Sequence, residues 1–174
     1  MPEFVIRPAA AADVGAIARI YAHAVRFGTA SFELEPPDEA EMALRQRALV
    51  EAGYPYLVAE IDSAVFGYAY AGPYRHRPAY RWSVESSIYV APEAHRRGVG
   101  RALLDALIAD AERRGFRQMI AVIGDSEQVA SIELHRRLGF EHIGALRSVG
   151  FKHDRWLDTV LMQRALGPRA ATAP

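Results

Sequence analysis

The stretch "HRRGVGRALLDALIADAERRGF", residues 95–116, is followed after Arg117 by "QMIAVIG", and together they limit the folds open to this chain. Leu103, Leu104, Leu107, Ile108 and Ala111 recur on one helical stripe, which must lie on another apolar surface. Gly115 supplies the stop. The strand that follows is apolar at nearly every position, as expected of a strand covered on both faces. A helix packed on a sheet is therefore required. The start of that helix is unusual. A serine, threonine or aspartate commonly caps the first turn, but here Gly98 and Gly100 leave bare backbone ringed by Arg96, Arg97 and Arg101.

Early helical N–H groups have no internal partner, and helix polarity adds partial positive charge there. Without side chains at 98 and 100, an anion such as a pyrophosphate can approach those amides closely. Taken alone, "GVG" fits a plain strand-to-helix turn with solvated arginines equally well. Two nucleotide motifs are excluded: no "GKS" or "GKT" follows, and the loop is too short for the three-glycine dinucleotide fingerprint.

The rest of the chain predicts a mixed α/β single domain over residues 1–166, with a small tail, 167–174, expected to fray. "FVIRPA" reads as a first strand. Asp13 is placed to cap a helix carrying Val14, Ile17, Ala18, Ile20 and Tyr21, and Asp38 opens a second helix to about Ala52. "YPYLVAEIDSAVFGYAYAG" predicts two strands joined near Asp62 and Ser63, and "WSVESSIYV" another. "SEQVASIELHRRLGF" is a shorter helix stopped by Gly139, and strands near 141–149 and 156–164 close the domain. With 21 basic and 21 acidic residues the net charge is zero, which disfavours nucleic acid as a partner. There is no cysteine, so thiolate chemistry and disulfides are excluded. No apolar run approaches the roughly 18 residues of a membrane span, and the N-terminus lacks a signal peptide's long apolar region. A cytoplasmic protein is expected.

Alternation in "WSVESSIYV" puts Trp82, Val84, Ser86, Ile88 and Val90 on one face and Ser83, Glu85, Ser87 and Tyr89 on the other. A mid-strand glutamate is disfavoured unless it has a partner or a task. By pattern alone it is a solvent-facing or salt-bridged acid as readily as a catalytic one.

"HRRGVGRALL", after "SSIYV" and before "SIELHRRLGF", resembles the GNAT acetyltransferases, a likeness that runs from about residue 4 to 165. It implies a central mixed, mostly antiparallel sheet of six to seven strands flanked by helices. It also implies acetyl-coenzyme A as co-substrate, held by His95, Arg96, Arg97, Gly98, Val99, Gly100, Arg101 and Ala102, by Ile88, Tyr89 and Val90, and by Gln128 and Ser131. His95 departs from the usual glutamine or arginine, and Gln128 from the usual asparagine beside the pantetheine arm. The resemblance makes Glu85 the general base that deprotonates an amine. It also implies a strand bulge near Tyr89 to Ala91 that frees a backbone N–H for the thioester oxygen.

"AGPYRHRPAY" with "GFKHDRW" is similar to one subgroup, the phosphinothricin and methionine sulfoximine N-acetyltransferases. That likeness implies an α-amine acceptor on a small glutamate-like or methionine-like amino acid. The acceptor would be bound by Arg75 and Arg77, whose guanidinium forks suit carboxylate and phosphinate, and by Tyr80, Ser87, Phe32 and Glu85. His135 would orient Glu85 or relay a proton as the thiolate leaves. A homodimer is implied, with Thr159 a contact across the interface. The cellular role implied is herbicide resistance or the handling of methionine derivatives. His135 and His153 lack paired carboxylate–histidine spacing, so no metal is expected. A different amine acceptor, such as a polyamine or a protein N-terminus, or a non-catalytic coenzyme sensor, fits the glycine loop too.

Overall fold

A computed structural model describes residues 4–173. Its strands are β1 (Val5–Pro8), β2 (Tyr56–Ile61), β3 (Ala64–Pro73), β4 (Ser83–Val90), β5 (Gln118–Gly124), β6 (Glu141–Lys152) and β7 (Arg155–Ala165). Its helices are α1 (Val14–Phe27), α2 (Glu39–Glu51), α3 (Val99–Arg113) and α4 (Val129–Arg137). The seven strands form one sheet in the order β1-β2-β3-β4-β5-β7-β6. Only the β4–β5 pair is parallel. Of the domain expected over 1–166 and the tail expected over 167–174, residues 1–3 and 174 lie outside the described residues.

Two apolar cores lie on opposite faces of the sheet. On one, Leu103, Leu104 and Leu107 of α3 pack on Val84, Met119 and Ile123, joined by Leu134 and Leu138 from the α4 region. On the other, Ile17 and Val25 of α1 and Met42 of α2 pack on Val58 and on tyrosines 56, 68 and 89. Each of the three α3 leucines is fully buried and contributes roughly 2 kcal/mol. A missing side-chain cap costs about 1 kcal/mol. Packing therefore holds α3 in place, and its N-terminus needs no cap of its own.

The expected helix stops at Gly115 and Gly139 take φ of 87° and 81°. Asp38 caps α2 by accepting the Glu41 N–H at 2.8 Å. Asp13 does something else. A short 3₁₀ turn over Ala11–Asp13 precedes α1, so Asp13 reaches back to the Ala10 N–H at 2.7 Å and takes the Arg7 guanidinium at 2.7 and 2.9 Å. That pairing holds its carboxyl below the usual range. The last two strands run longer than expected, into a two-residue turn at His153 and Asp154. Both residues have positive φ, 51° and 57°, as a tight primed hairpin turn requires. "HD" is not the asparagine–glycine pair that announces such a turn.

Candidate active site

The parallel ladder between β4 and β5 ends at Ser86–Ala121, while β3 stays paired with β4 as far as Gly67–Val90. The Ala91 N–H donates to the Phe66 carbonyl at 2.8 Å and that of Tyr74 to the Ser83 carbonyl at 3.4 Å. This fixes the phase. Odd-numbered residues of β4 bond to β3, and even-numbered ones turn their peptide groups toward β5. Beyond Ser86 no strand receives them, so the Ile88 and Val90 N–H groups open onto a gap. The expected bulge is absent, since the β3–β4 register is continuous here. The free donors arise because two strands diverge, and the Tyr89 and Ala91 amides are not among them.

The gap is part of a cleft of about 740 Å³. Its floor is β4 from Ser86 to Val90 and β5 from Ala121 to Gly124; α4 supplies Gln128, Ser131 and His135, and α1 supplies His23 and Phe27. At one end stand His95, Arg96, Gly98, Val99, Gly100 and Arg101, whereas Arg97 and Ala102 are outside the wall. Gly98 holds φ of 86° at the N-cap of α3, with no side-chain cap and nothing within 4 Å of where a Cβ would sit. The uncapped amides of α3 therefore face open space. His95 is tied down: its Nε2 donates to the Val90 carbonyl at 3.0 Å, joining the end of β4 to the glycine loop.

Glu85 lies on the α1 face of β4, next to Ser87, which meets Tyr70 across the ladder. Its half-buried carboxylate has no hydrogen-bond partner among the described residues. Burial raises its pKa, and the Arg75 guanidinium opposes that rise. Other candidates for a base are less available. Burial pushes the hydroxyls of Tyr68, Tyr70 and Tyr89 above their ordinary range, so they stay protonated. Glu33 is occupied by the Tyr21 hydroxyl at 2.9 Å and by Arg45 at 2.6 Å.

Arg75 lies over the Tyr74 ring, 5.2 Å from its centroid, and Tyr80 packs edge-on against that same ring. Arg77 is exposed on the same connector, without an ion pair among the described residues. His135 makes no hydrogen bond to Glu85 among the described residues; α4 packs with the α3 face of the sheet, and His135 lines the cleft. Its Nδ1 donates to the Ser131 carbonyl at 2.8 Å, and burial lowers its pKa, so the ring is neutral with Nε2 as an acceptor. Direct orientation of Glu85 by His135 is not what this geometry offers. Thr159, expected at a subunit boundary, is buried between Gly124 of β5 and Leu146 of β6; its own sheet encloses it. Gln128 donates to the Thr29 hydroxyl at 3.0 Å, a contact with the loop after α1 that local sequence did not signal.

A strand pair that forks beside an uncapped, glycine-initiated helix defines a coenzyme-binding acyltransferase framework, and the chain belongs to the acetyltransferase (GNAT) family, whose model matches residues 17–140. It is 55% identical over 162 residues to a phosphinothricin N-acetyltransferase of Alcaligenes faecalis, covering 93% of this chain and 82% of that one. It is 41% identical over 166 residues to the L-methionine sulfoximine/L-methionine sulfone acetyltransferase of Salmonella typhimurium, covering 95% and 96%. A GNAT phosphinothricin acetyltransferase from Sinorhizobium meliloti, solved in complex with acetyl-CoA, superposes with a TM-score of 0.96 at 51% identity, covering 100% and 94%. Among the described residues no helix is long and apolar enough to cross a membrane. None of them form a group of three or more His, Asp or Glu able to hold a metal ion.

Proposed function

We propose that this acetyltransferase acts on the α-amine of a small amino acid of the phosphinothricin, methionine sulfoximine or methionine sulfone type, with Glu85 as general base. The observation that carries the assignment is the unpartnered, half-buried Glu85 carboxylate beside the β4–β5 fork. The coenzyme diphosphate sits on the α3 amides, and its thioester end reaches the fork. An alkylammonium, with a pKa of roughly 10, must lose a proton before it can attack. Glu85 takes that proton. The amine nitrogen then bonds to the thioester carbon while the carbonyl oxygen receives one of the open β4 N–H groups, that of Ile88 or Val90; as the C–S bond breaks, the second nitrogen proton passes to the departing sulfur and coenzyme A leaves as the thiol. One such donor is worth about 3 kcal/mol. His135, neutral and on the coenzyme side, accepts a hydrogen bond there and is not the proton source. Arg75 pairs with the acceptor's anionic group, assisted by Arg77 and Tyr80.

A panel of acceptors tests this. Phosphinothricin or methionine sulfoximine should exceed a polyamine in kcat/KM by about 100-fold, because Arg75 repels a second cation. A polyamine or a peptide N-terminus that wins instead overturns the acceptor assignment. Coenzyme binding without product on any amine would establish the sensor alternative.

We also infer that the chain forms a homodimer. Leu146, Val149, Phe151 and Trp156 are all exposed on the β6–β7 hairpin, and β6 is an edge strand. Such an apolar edge is normally covered. Light scattering should report a two-chain particle that Trp156→Glu converts to one chain. A monomeric wild type rules the assignment out.

A further inference from the structure

Lysine is almost never fully buried without a paired charge. Lys152, the last residue of β6, is 4% exposed, and no carboxylate lies within ion-pair distance of it among the described residues. Its Nζ donates instead to the Ser31 main-chain carbonyl at 2.7 Å. Burial lowers its pKa, opposed only by the more distant Glu33. A buried ammonium bonded to one carbonyl is a costly arrangement, and it holds a segment with no regular structure of its own.

That segment, residues 28–33, joins α1 toward α2, and Gly28 and Ala30 line the cleft. It is gripped from two directions. The hairpin tip supplies Lys152 and also His153, whose Nε2 donates to the Gly28 carbonyl at 3.2 Å. The β5–α4 connection supplies Gln128, bonded to Thr29. Between these grips the Phe32 ring occupies a slot made by two glycines. A Cβ on Gly150 would stand 2.3 Å from the ring, and one on Gly124 2.8 Å. Neither glycine has a positive φ, so backbone conformation does not require glycine at either place. Room does: for the ring at Gly150, and at Gly124 for the ring and for the Thr29 carbonyl oxygen, which a Cβ would meet at 2.5 Å.

We propose that Lys152 is a positioning residue for the acceptor: by holding the Ser31 carbonyl it seats Phe32 in the Gly124–Gly150 slot, and so shapes the acceptor site without touching either substrate. This rests on the proposed amino-acid acceptor and on the place beside it that the family resemblance implies for Phe32, and deepens that reading.

Lys152→Met keeps the apolar stem and removes the donor. The acceptor KM should rise about tenfold, the loss of one charged hydrogen bond, with kcat and the acetyl-CoA KM changed by less than about twofold. Gly150→Ala leaves the lysine bond intact but fills the slot, and should raise the acceptor KM in the same way. Hydrogen exchange of residues 28–33 in the unliganded protein gives a readout that needs no substrate, and Lys152→Met should quicken it. Faster exchange with an unchanged acceptor KM would overturn the proposal, as would a fall in kcat alone. If Lys152→Met does not fold, Gly150→Ala decides: a normal acceptor KM there rejects the role. If the wild type ignores every amino-acid acceptor, the substrate assignment fails separately. Unchanged exchange in Lys152→Met would then still reject the clamp, and faster exchange would sustain it.

Discussion

Glu85→Gln is expected to lower kcat at neutral pH by about 10²- to 10⁴-fold, the range for removal of a general base, with the acetyl-CoA KM unchanged. The pH dependence carries the sign. Burial raises the Glu85 pKa, and only the ionised form can accept the amine proton, so kcat/KM should fall as pH drops through that raised value. Arg75 pulls the same pKa down. Arg75→Met should therefore move this acid limb to higher pH, beyond whatever it does to acceptor binding. In Glu85→Gln the limb should vanish. Stability should change in the opposite sense to activity. A carboxyl whose folded pKa is raised favours the folded state while protonated, below its unfolded pKa, and that contribution is lost as pH rises through the folded pKa. At neutral pH the wild type thus holds an unfavourable buried charge, which the neutral amide removes. Thermal unfolding at neutral pH should show a higher Tm for Glu85→Gln, with the difference shrinking toward acid. A variant that loses activity and stability together would mean that Glu85 is structural.

The parts of this design that were legible in the sequence are those set by local physics. The leucine stripe of α3, the glycine stops and the Asp38 cap each follow from a few neighbouring residues. Alternation alone assigned Glu85 and Ser87 to one face of β4 and Val84 and Ser86 to the other, as the two cores require. What local pattern cannot state is where a neighbour leaves. The free Val90 amide depends on β5 diverging after Ala121, 31 positions away in sequence, and nothing within "SSIYV" records it. Lys152 lay in a basic hairpin that would ordinarily be solvated; its burial comes from the loop after α1 folding over it. His135 is a further case. Its spacing from Ile132 and Leu138 puts it on one helical stripe, and it is buried, but spacing does not say which side of the sheet that stripe meets. Gln128 is a related case: where an asparagine is usual, the longer side chain reaches Thr29, and only the assembled fold supplies that partner.

Gly98 offers the most direct test of the coenzyme site, because its two requirements can be separated. Its φ of 86° is strained for most side chains by roughly 1–2 kcal/mol, but asparagine and aspartate tolerate it better than others. A Cβ there meets no protein atom within 4 Å, so the fold should accept either residue. Gly98→Asn then reports the backbone cost and the bulk of a small polar group, and the acetyl-CoA KM should rise by only a few-fold, about 1 kcal/mol or less. Gly98→Asp is nearly the same shape with one negative charge, aimed at the space where the coenzyme diphosphate meets the first amides of α3. Two like charges about 4 Å apart cost roughly 4 kcal/mol at a partly shielded surface. Allowing for solvent relaxation, the acetyl-CoA KM of the aspartate variant should exceed that of the asparagine variant by about 100-fold. Added salt should narrow that gap, since the interaction is screened over roughly 10 Å at 0.1 M, and it should leave the asparagine value almost unmoved. Gly100→Ala is the matching control within the same turn: its Cβ would make ordinary contact, at 3.6 Å, with Leu134 and Val90, and φ is not positive there. Equal acetyl-CoA affinity in the aspartate and asparagine variants would place the diphosphate away from this helix end, and the thioester could not then reach the fork beside Glu85.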